Sequence, residues 1–483
     1  MDKKLKTNAI FNLIYQMMAI IIPLITMPYL ARVLGVDNIG IQSYTLSIVS
    51  YFTLFAAFGL NDYGQREIAR NQEDKGKISK LFFELIANRF LTGFIVVSVY
   101  LTLVFTVFET QYEVYYLILV MNILAITFDV AWFFQGIENF KSLAIRNTIV
   151  KLVSMTLIFI FVKDSNSLGI YIFISSMALI LSSLSVWVML PKYIVKTKIE
   201  FKNIFKHFKG SLVYFIPTIA IQIYTVLDKS MIQWITNSNF QNGIYDQAER
   251  IVKVSLTIIQ FMNVIMCSRM SFLFANNREE EAKSICTQSL RFLSFFVFPI
   301  ALGIVLIANN IIPLYLGPGY EDSILLLQCF SLLVIFIAIS GFVGSHYMTP
   351  TGQQGKSNIA LIIGAVVNLI LNLILIKPLG ALGATIASVS AEGLIAVLYI
   401  YNGRKFFKVS EYFKIFLKNI IAAIIMFVVV YFSTNSLSFN NLSMILIKMS
   451  IGVVTYLAIL AILRDNYLLS TIDKLKNKIL NRD

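Results

Sequence analysis

Residues Pro350–Gly393 read PTGQQGKSNIALIIGAVVNLILNLILIKPLGALGATIASVSAEG. A polar start gives way at Ile359 to an apolar run that reaches Ile376, broken only by Asn368 and Asn372. Lys377-Pro378 and a short glycine-punctuated link follow, and a second apolar run begins near Leu382. A run of about 20 apolar residues is long enough to cross the hydrocarbon core of a bilayer as a helix. In lipid the backbone must satisfy its own hydrogen bonds, which an α-helix does within one segment. The stretch therefore reads as loop, span, tight turn, span. Asn368 and Asn372 lie one helical turn apart and are expected to hydrogen-bond between helices.

The same rhythm runs through the whole chain. Of 483 residues, 58% are hydrophobic and only 14% charged, with a mean hydropathy of +0.77. A soluble domain is about half apolar and roughly a quarter charged. About 14 spans are expected, beginning near Ala9, Gly40, Leu81, Val114, Asn147, Gly169, Ser211, Ile244, Ser289, Ser323, Ile359, Leu382, Leu417 and Leu442. The run Ala9–Leu30 is too long for a signal-peptide core and lacks a small-residue cleavage site, so it is expected to be retained. The fold class is an all-α integral membrane protein. Cys267, Cys286 and Cys329 contain no CxxC pair, and His207 and His346 stand far apart. Neither a metal site nor a Ser-His-Asp triad has material here. No outer loop is large enough for a catalytic domain, so no enzyme and no cofactor are expected.

The net charge is +14. With the N-terminus inside, the inner segments hold 29 of the 40 Lys and Arg, and the outer segments only Arg32, Lys163 and Lys377. This positive-inside bias places both termini in the cytoplasm. It assigns the charge to topology and inner-leaflet lipid rather than to nucleic acid. Trp132, Trp187 and Trp234 fall near span ends and are expected to anchor at the interface.

Two echoes suggest a repeat. GVDNIGIQSY (Gly35–Tyr44) resembles SNFQNGIYDQ (Ser238–Gln247), with Gly40-Ile41 aligned on Gly243-Ile244. QGIENFKS (Gln135–Ser142) resembles TGQQGKS (Thr351–Ser357). Secondary transporters are often built this way. The expected organisation is an N-lobe of six spans over 1–195, a basic cytoplasmic linker over 196–210 and a C-lobe of six spans over 211–403. Two extra spans and a basic tail complete the chain over 404–483.

Charges inside spans are costly and often mark function. Asp246, Glu249, Arg250 and Lys253 stand at i, i+3, i+4 and i+7, one helix face. The face continues through Thr257 and Gln260 towards Asn263. Two readings stand: an intrahelical ion-pair ladder, and the wall of a water-filled cavity. The preceding span carries a parallel stripe, Thr218, Gln222, Thr225, Asp228 and Lys229. Asp228 would neutralise Lys229 or a cation of the next span. Arg89 and Lys151 divide between snorkelling to the headgroups and lining a cavity. Arg269, Arg291 and Lys448 fit snorkelling. Asp129, Glu84 and Glu392 are isolated acids, and Asp129 either pairs with Lys151 or serves an ion.

PYLARVLGVDNIGIQSY, the Trp132–Phe173 segment beginning WFFQGIENFKSLAIRN, LDKSMIQWITNSNFQNGIYDQAERIV and the opening stretch follow one another in order. Together they resemble the polysaccharide transporters of the MATE-like (multidrug, oligosaccharidyl-lipid, polysaccharide) exporter superfamily, most nearly the Wzx-type oligosaccharide flippases. That resemblance implies two six-helix lobes arranged as a V, with two further helices. It implies transfer of an undecaprenyl-diphosphate-linked oligosaccharide from the inner to the outer leaflet of a bacterial cytoplasmic membrane. The pathway's glycosyltransferases and polymerase would be functional partners, and any coupling ion would be H⁺ or Na⁺. A cationic lumen is implied at Arg32, Arg89, Lys151, Lys229, Arg250 and Lys253, with Asp129, Asp228, Asp246 and Glu249 balancing charge or coupling an ion. CSRMS (Cys267–Ser271) departs from the Pro-Arg pair of many members. A lipid II flippase and a cation-coupled drug exporter are the alternatives. Basic residues match or outnumber acids in the spans, which favours an anionic cargo.

Overall fold

The computed structural model describes residues 3–197, 200–407 and 409–470. Of the expected inner-face cations, Lys198, Lys408, Lys474, Lys476, Lys478 and Arg482 lie outside the described residues. Among the described residues the secondary structure is helical throughout. The helices are α1 (Lys3–Ala57), α2 (Leu60–Arg70), α3 (Lys75–Thr106), α4 (Glu113–Thr127), α5 (Ala131–Gly136), α6 (Phe140–Phe161), α7 (Leu168–Trp187) and α8 (Phe201–Thr236). There follow α9 (Asn239–Ala275), α10 (Glu279–Tyr315), α11 (Ser323–Val343), α12 (Gln354–Leu379), α13 (Ala381–Gly403), α14 (Val409–Thr434) and α15 (Asn441–Ile462).

Eleven helical stretches among the described residues are long and apolar enough to cross a membrane. Phe94, Phe105, Phe432 and Val454 are largely exposed. Apolar faces of this extent suit lipid and not water. The protein is a multi-pass membrane protein.

α1 holds two of the expected spans. Its 55 residues would reach about 80 Å if straight, far more than a bilayer core. It bends at Gly35, whose φ of 78° and ψ of 168° suit a residue without Cβ. The opening stretch also folds as read. α12 and α13 meet at Gly380, and Asn372 Nδ2 donates to Asn368 Oδ1 at 3.1 Å. Asn368 Nδ2 in turn donates to Ser388 Oγ on α13 at 3.3 Å.

Packing divides the chain into two units, Met1–Gly243 and Ile244–Asp483. The segment expected as a linker is helical from Phe201 and belongs to the first unit. His207 Nε2 lies 3.1 Å from Glu84 Oε2, and Asn203 Nδ2 donates to Glu84 Oε1 at 2.9 Å. Lys80 bridges to Glu200 at 2.6 Å, which holds the Glu200 carboxyl below its ordinary range. Thus Glu84, isolated in sequence, ties α3 to the start of α8. The division falls inside the first turns of α9, and α8 packs on α1 and α3 within the first unit.

Within that unit the first sequence echo becomes a reciprocal contact. A Cβ on Gly40 would overlap the Asn239 carbonyl, and one on Gly243 would overlap the Val36 carbonyl. Under the alignment of Gly40 on Gly243, Val36 corresponds to Asn239. Each half of the echo thus supplies a glycine to the other's backbone, as a two-fold repeat requires. Ser43 Oγ donates to Asn242 Oδ1 across the same junction at 3.3 Å.

The first unit has a core around Tyr44, Tyr100 and Tyr116 and another around Phe82, Trp132 and Phe133. Trp132 is buried there, where a Cβ on Gly64 would meet its ring. It is a core residue and not the interface anchor expected from its place near a span end. Trp234 is exposed as an anchor should be. In the second unit α14 and α15 pack on α10 around Met426 and Tyr456.

Candidate functional site

The α9 stripe forms as a pair of ladder rungs. Arg250 Nε contacts Asp246 Oδ2 at 2.6 Å, and Lys253 Nζ contacts Glu249 Oε1 at 2.6 Å. Both place the acid four residues before the base, the favourable order on a helix. The rungs are asymmetric. The Asp246 and Glu249 side chains are 0% and 11% exposed, those of Arg250 and Lys253 38% and 52%. Buried carboxylates therefore sit beneath cations whose heads face outward. The ion-pair ladder of the sequence reading is present, with both of its cations partly exposed. Thr257 and Asn263 on the same face are half-buried and Gln260 is exposed. Next to the Cys267–Ser271 departure, Arg269 is exposed and pairs with Glu281 at 2.8 Å.

Asp228 and Lys229 stand on α8, in the first unit. Asp228 is buried, and Lys229 is half-buried with its carbonyl taken by Asn242 Nδ2 at 2.7 Å. Arg32 is exposed just ahead of the Gly35 bend, and Lys151 is half-buried on α6.

Arg89 is different. It is fully buried, with Nη1 and Nη2 donating to Asn61 Oδ1 at 2.9 Å each and Nε donating to the Ile126 carbonyl at 3.0 Å. It neither snorkels nor lines an open cavity; it clamps α2 and α4 onto α3. Lys448 likewise is drawn inward, donating to the Leu306 carbonyl and Asn310 Oδ1 of α10 at 2.9 and 2.7 Å. Its ammonium is thus held by a carbonyl and a side-chain amide of a second helix. Asp129 makes no ion pair with Lys151. It occupies the break between α4 and α5, and its Oδ1 accepts from the Ala131 amide at 2.9 Å. It lines a cavity in the first unit together with Ser50, Thr53, Asn122, Ser182 and Ser183. Sequence reasoning did not single these five out. Their signal was a polar residue every third or fourth position on otherwise apolar helices.

Two solved structures share this architecture. The lipid II flippase MurJ in an inward closed conformation matches with a TM-score of 0.73 over 94% of this chain and 98% of that one, at 21% identity. An inward-facing multidrug-resistance MATE transporter matches with a TM-score of 0.60 over 78% and 94%, at 15% identity. The fold is the one these two transporter structures share. Within that class, the chain belongs to the family of polysaccharide biosynthesis proteins, whose model matches residues 5–267, more than half its length. A candidate O-antigen transporter of Escherichia coli strain K12 is 25% identical over 405 residues, covering 82% of this chain and 96% of that protein.

Proposed function

We propose that the protein flips undecaprenyl-diphosphate-linked oligosaccharide units from the inner to the outer leaflet of a bacterial cytoplasmic membrane. It acts by alternating access and without catalytic chemistry, with both termini inside. The family and the named activity of the E. coli relative support this class. The observation that supports the cargo's chemistry is the α9 ladder, in which partly exposed cations stand over buried acids. A diphosphate entering a water-poor site needs fixed donors to replace its hydration, and charge-assisted hydrogen bonds from Arg and Lys supply them. Because each cation is already paired with a carboxylate, the site binds moderately and can release its cargo. Lys229 and Arg32 are the further cations that the moving headgroup would meet. A capsule, O-antigen or exopolysaccharide pathway would supply the lipid-linked unit through glycosyltransferases and consume it through a polymerase.

The test must respect the ladder. Arg250→Gln alone strips the ion pair from a buried carboxylate, which is costly in itself. Paired changes, Asp246→Asn with Arg250→Gln and Glu249→Gln with Lys253→Gln, remove both charges of a rung. Each pair is expected to lower polymer export about tenfold or more at an unchanged protein level. Normal export by both pairs would remove the ladder from the transport path.

A further inference from the structure

α10 carries two helix weakeners about a turn apart, Pro299 and Gly303. A proline inside a helix has no N–H to offer the carbonyl four residues before it. In α10 that carbonyl belongs to Phe295. Gly303 is not demanded by packing, because a Cβ built there would meet nothing within 4 Å. Such a turn is where a helix in a bilayer bends, unless a neighbour satisfies the freed backbone.

α15 is that neighbour. The Tyr456 hydroxyl lies 2.9 Å from the Phe295 carbonyl and 2.9 Å from Asn419 Oδ1 on α14, so its proton is within reach of both. Asn419 Nδ2 in turn donates to Ser294 Oγ of α10 at 3.1 Å. The Tyr456 ring meets the Phe295 ring edge-on, with centroids 5.7 Å apart. These contacts pin α10 one turn before the proline. A second pin follows it. Lys448 Nζ donates to the Leu306 carbonyl and to Asn310 Oδ1, and Asn310 Nδ2 donates to Asn441 Oδ1 at 3.0 Å. Along α15 Lys448 precedes Tyr456, and along α10 Phe295 precedes Leu306, so the two helices lie antiparallel across Pro299. Phe298, Leu306, Met426 and Leu460 share one apolar core between them. Pro313 stands in the last turn of α10, outside the pinned stretch.

Each contact alone is an ordinary interhelical one. Their placement is the telling feature: polar fastenings on both sides of the weak turn, and the first of them on the carbonyl that the proline leaves without its amide. We propose that α15, with α14 behind it, splints α10 across Pro299 and keeps it one rigid rod. This gives a task to the two helices expected beyond the six-span lobes. It does not rest on the flippase reading. If that reading holds, the second unit moves with α10 unbent at Pro299.

The test is a rescue in the full chain in lipid nanodiscs. Cys267→Ser, Cys286→Ala and Cys329→Ala clear the native thiols, and Ser284→Cys with Asn309→Cys takes spin labels at exposed positions of α10 on either side of Pro299. At 1.5 Å per residue the labels stand about 37 Å apart. Double electron–electron resonance should give one narrow distance. Tyr456→Phe with Lys448→Met should broaden it or shorten it by several ångströms. Adding Pro299→Ala, which returns an amide to the Phe295 carbonyl, should restore it. Tyr456→Phe alone should lower the thermal midpoint by about 3 °C with Pro299 in place, and by less than half of that beside Pro299→Ala. If the double variant does not yield folded protein, this comparison decides, since Tyr456→Phe removes a single oxygen. An unchanged distance distribution in the folded double variant overturns the splint. So does an equal loss of midpoint with and without the proline, which would make Tyr456 a packing contact only. Neither measurement reads export, so a failure of the flippase reading leaves both results unchanged.

Discussion

Gly40→Val is expected to remove the folded protein from the membrane. The site has no room to yield, because the atom that a Cβ would strike is the Asn239 backbone carbonyl and not the end of a flexible side chain. Overpacking a fitted core costs about 1–3 kcal/mol even where side chains can shift. Moving a helix backbone costs more, against a total stability of roughly 5–15 kcal/mol for a typical domain. Gly243→Val should fail equally, because its Cβ would strike the Val36 carbonyl. Fluorescence-detected size-exclusion chromatography of a tagged chain checks both. A monodisperse peak at wild-type level for either variant would show that the junction is looser than described.

Arg89→Ala should be nearly as damaging, for a different reason. It leaves Asn61 Oδ1 without its two guanidinium donors and opens a void where a fully buried side chain stood. An unmatched buried acceptor and the lost packing together come to about 3–5 kcal/mol. The thermal midpoint should fall by about 10 °C. Arg89→Lys keeps the charge but replaces the planar fork that spans Asn61 Oδ1 and the Ile126 carbonyl with a compact ammonium, so it should recover only part of the loss. The outcome separates two roles. A wild-type midpoint with lost export would place Arg89 on the cargo, as its family resemblance implies. A lowered midpoint makes it a clamp.

Much of this molecule is visible in its sequence because the bilayer imposes a strong pattern. Apolar runs mark the spans, and the 3.6-residue period puts Asp246, Glu249, Arg250 and Lys253 on one face before any coordinates exist. The Asn368–Asn372 turn was readable for the same reason. What periodicity lacks is the rotation of each helix against its neighbours. It therefore does not tell that the α9 acids point inward and the cations outward, a difference of a fraction of a turn. Nor does it show how far a long side chain reaches. Arg89 and Lys448 were placed by their depth along a helix, yet each donates to a carbonyl and a side-chain amide on neighbouring helices. Trp132 misled in the same way: its place near a span end was real, but Gly64 opposite it made a pocket. The Asp129 cavity needs three helices to assemble, and only Asp129 itself drew notice. The glycine echo carried more than similarity, since the two motifs touch and each explains why the other is glycine.

The central claim is that the outward cations of α9 hold a diphosphate. It is tested most directly by the affinity of the purified chain in nanodiscs for undecaprenyl diphosphate against undecaprenyl monophosphate, read by native mass spectrometry. The wild type should prefer the diphosphate. A variant with both rungs neutralised, Asp246→Asn, Glu249→Gln, Arg250→Gln and Lys253→Gln, should lose about tenfold in diphosphate affinity, roughly 1.4 kcal/mol, with little change for the monophosphate. Unchanged diphosphate affinity in a well-folded variant would contradict the account.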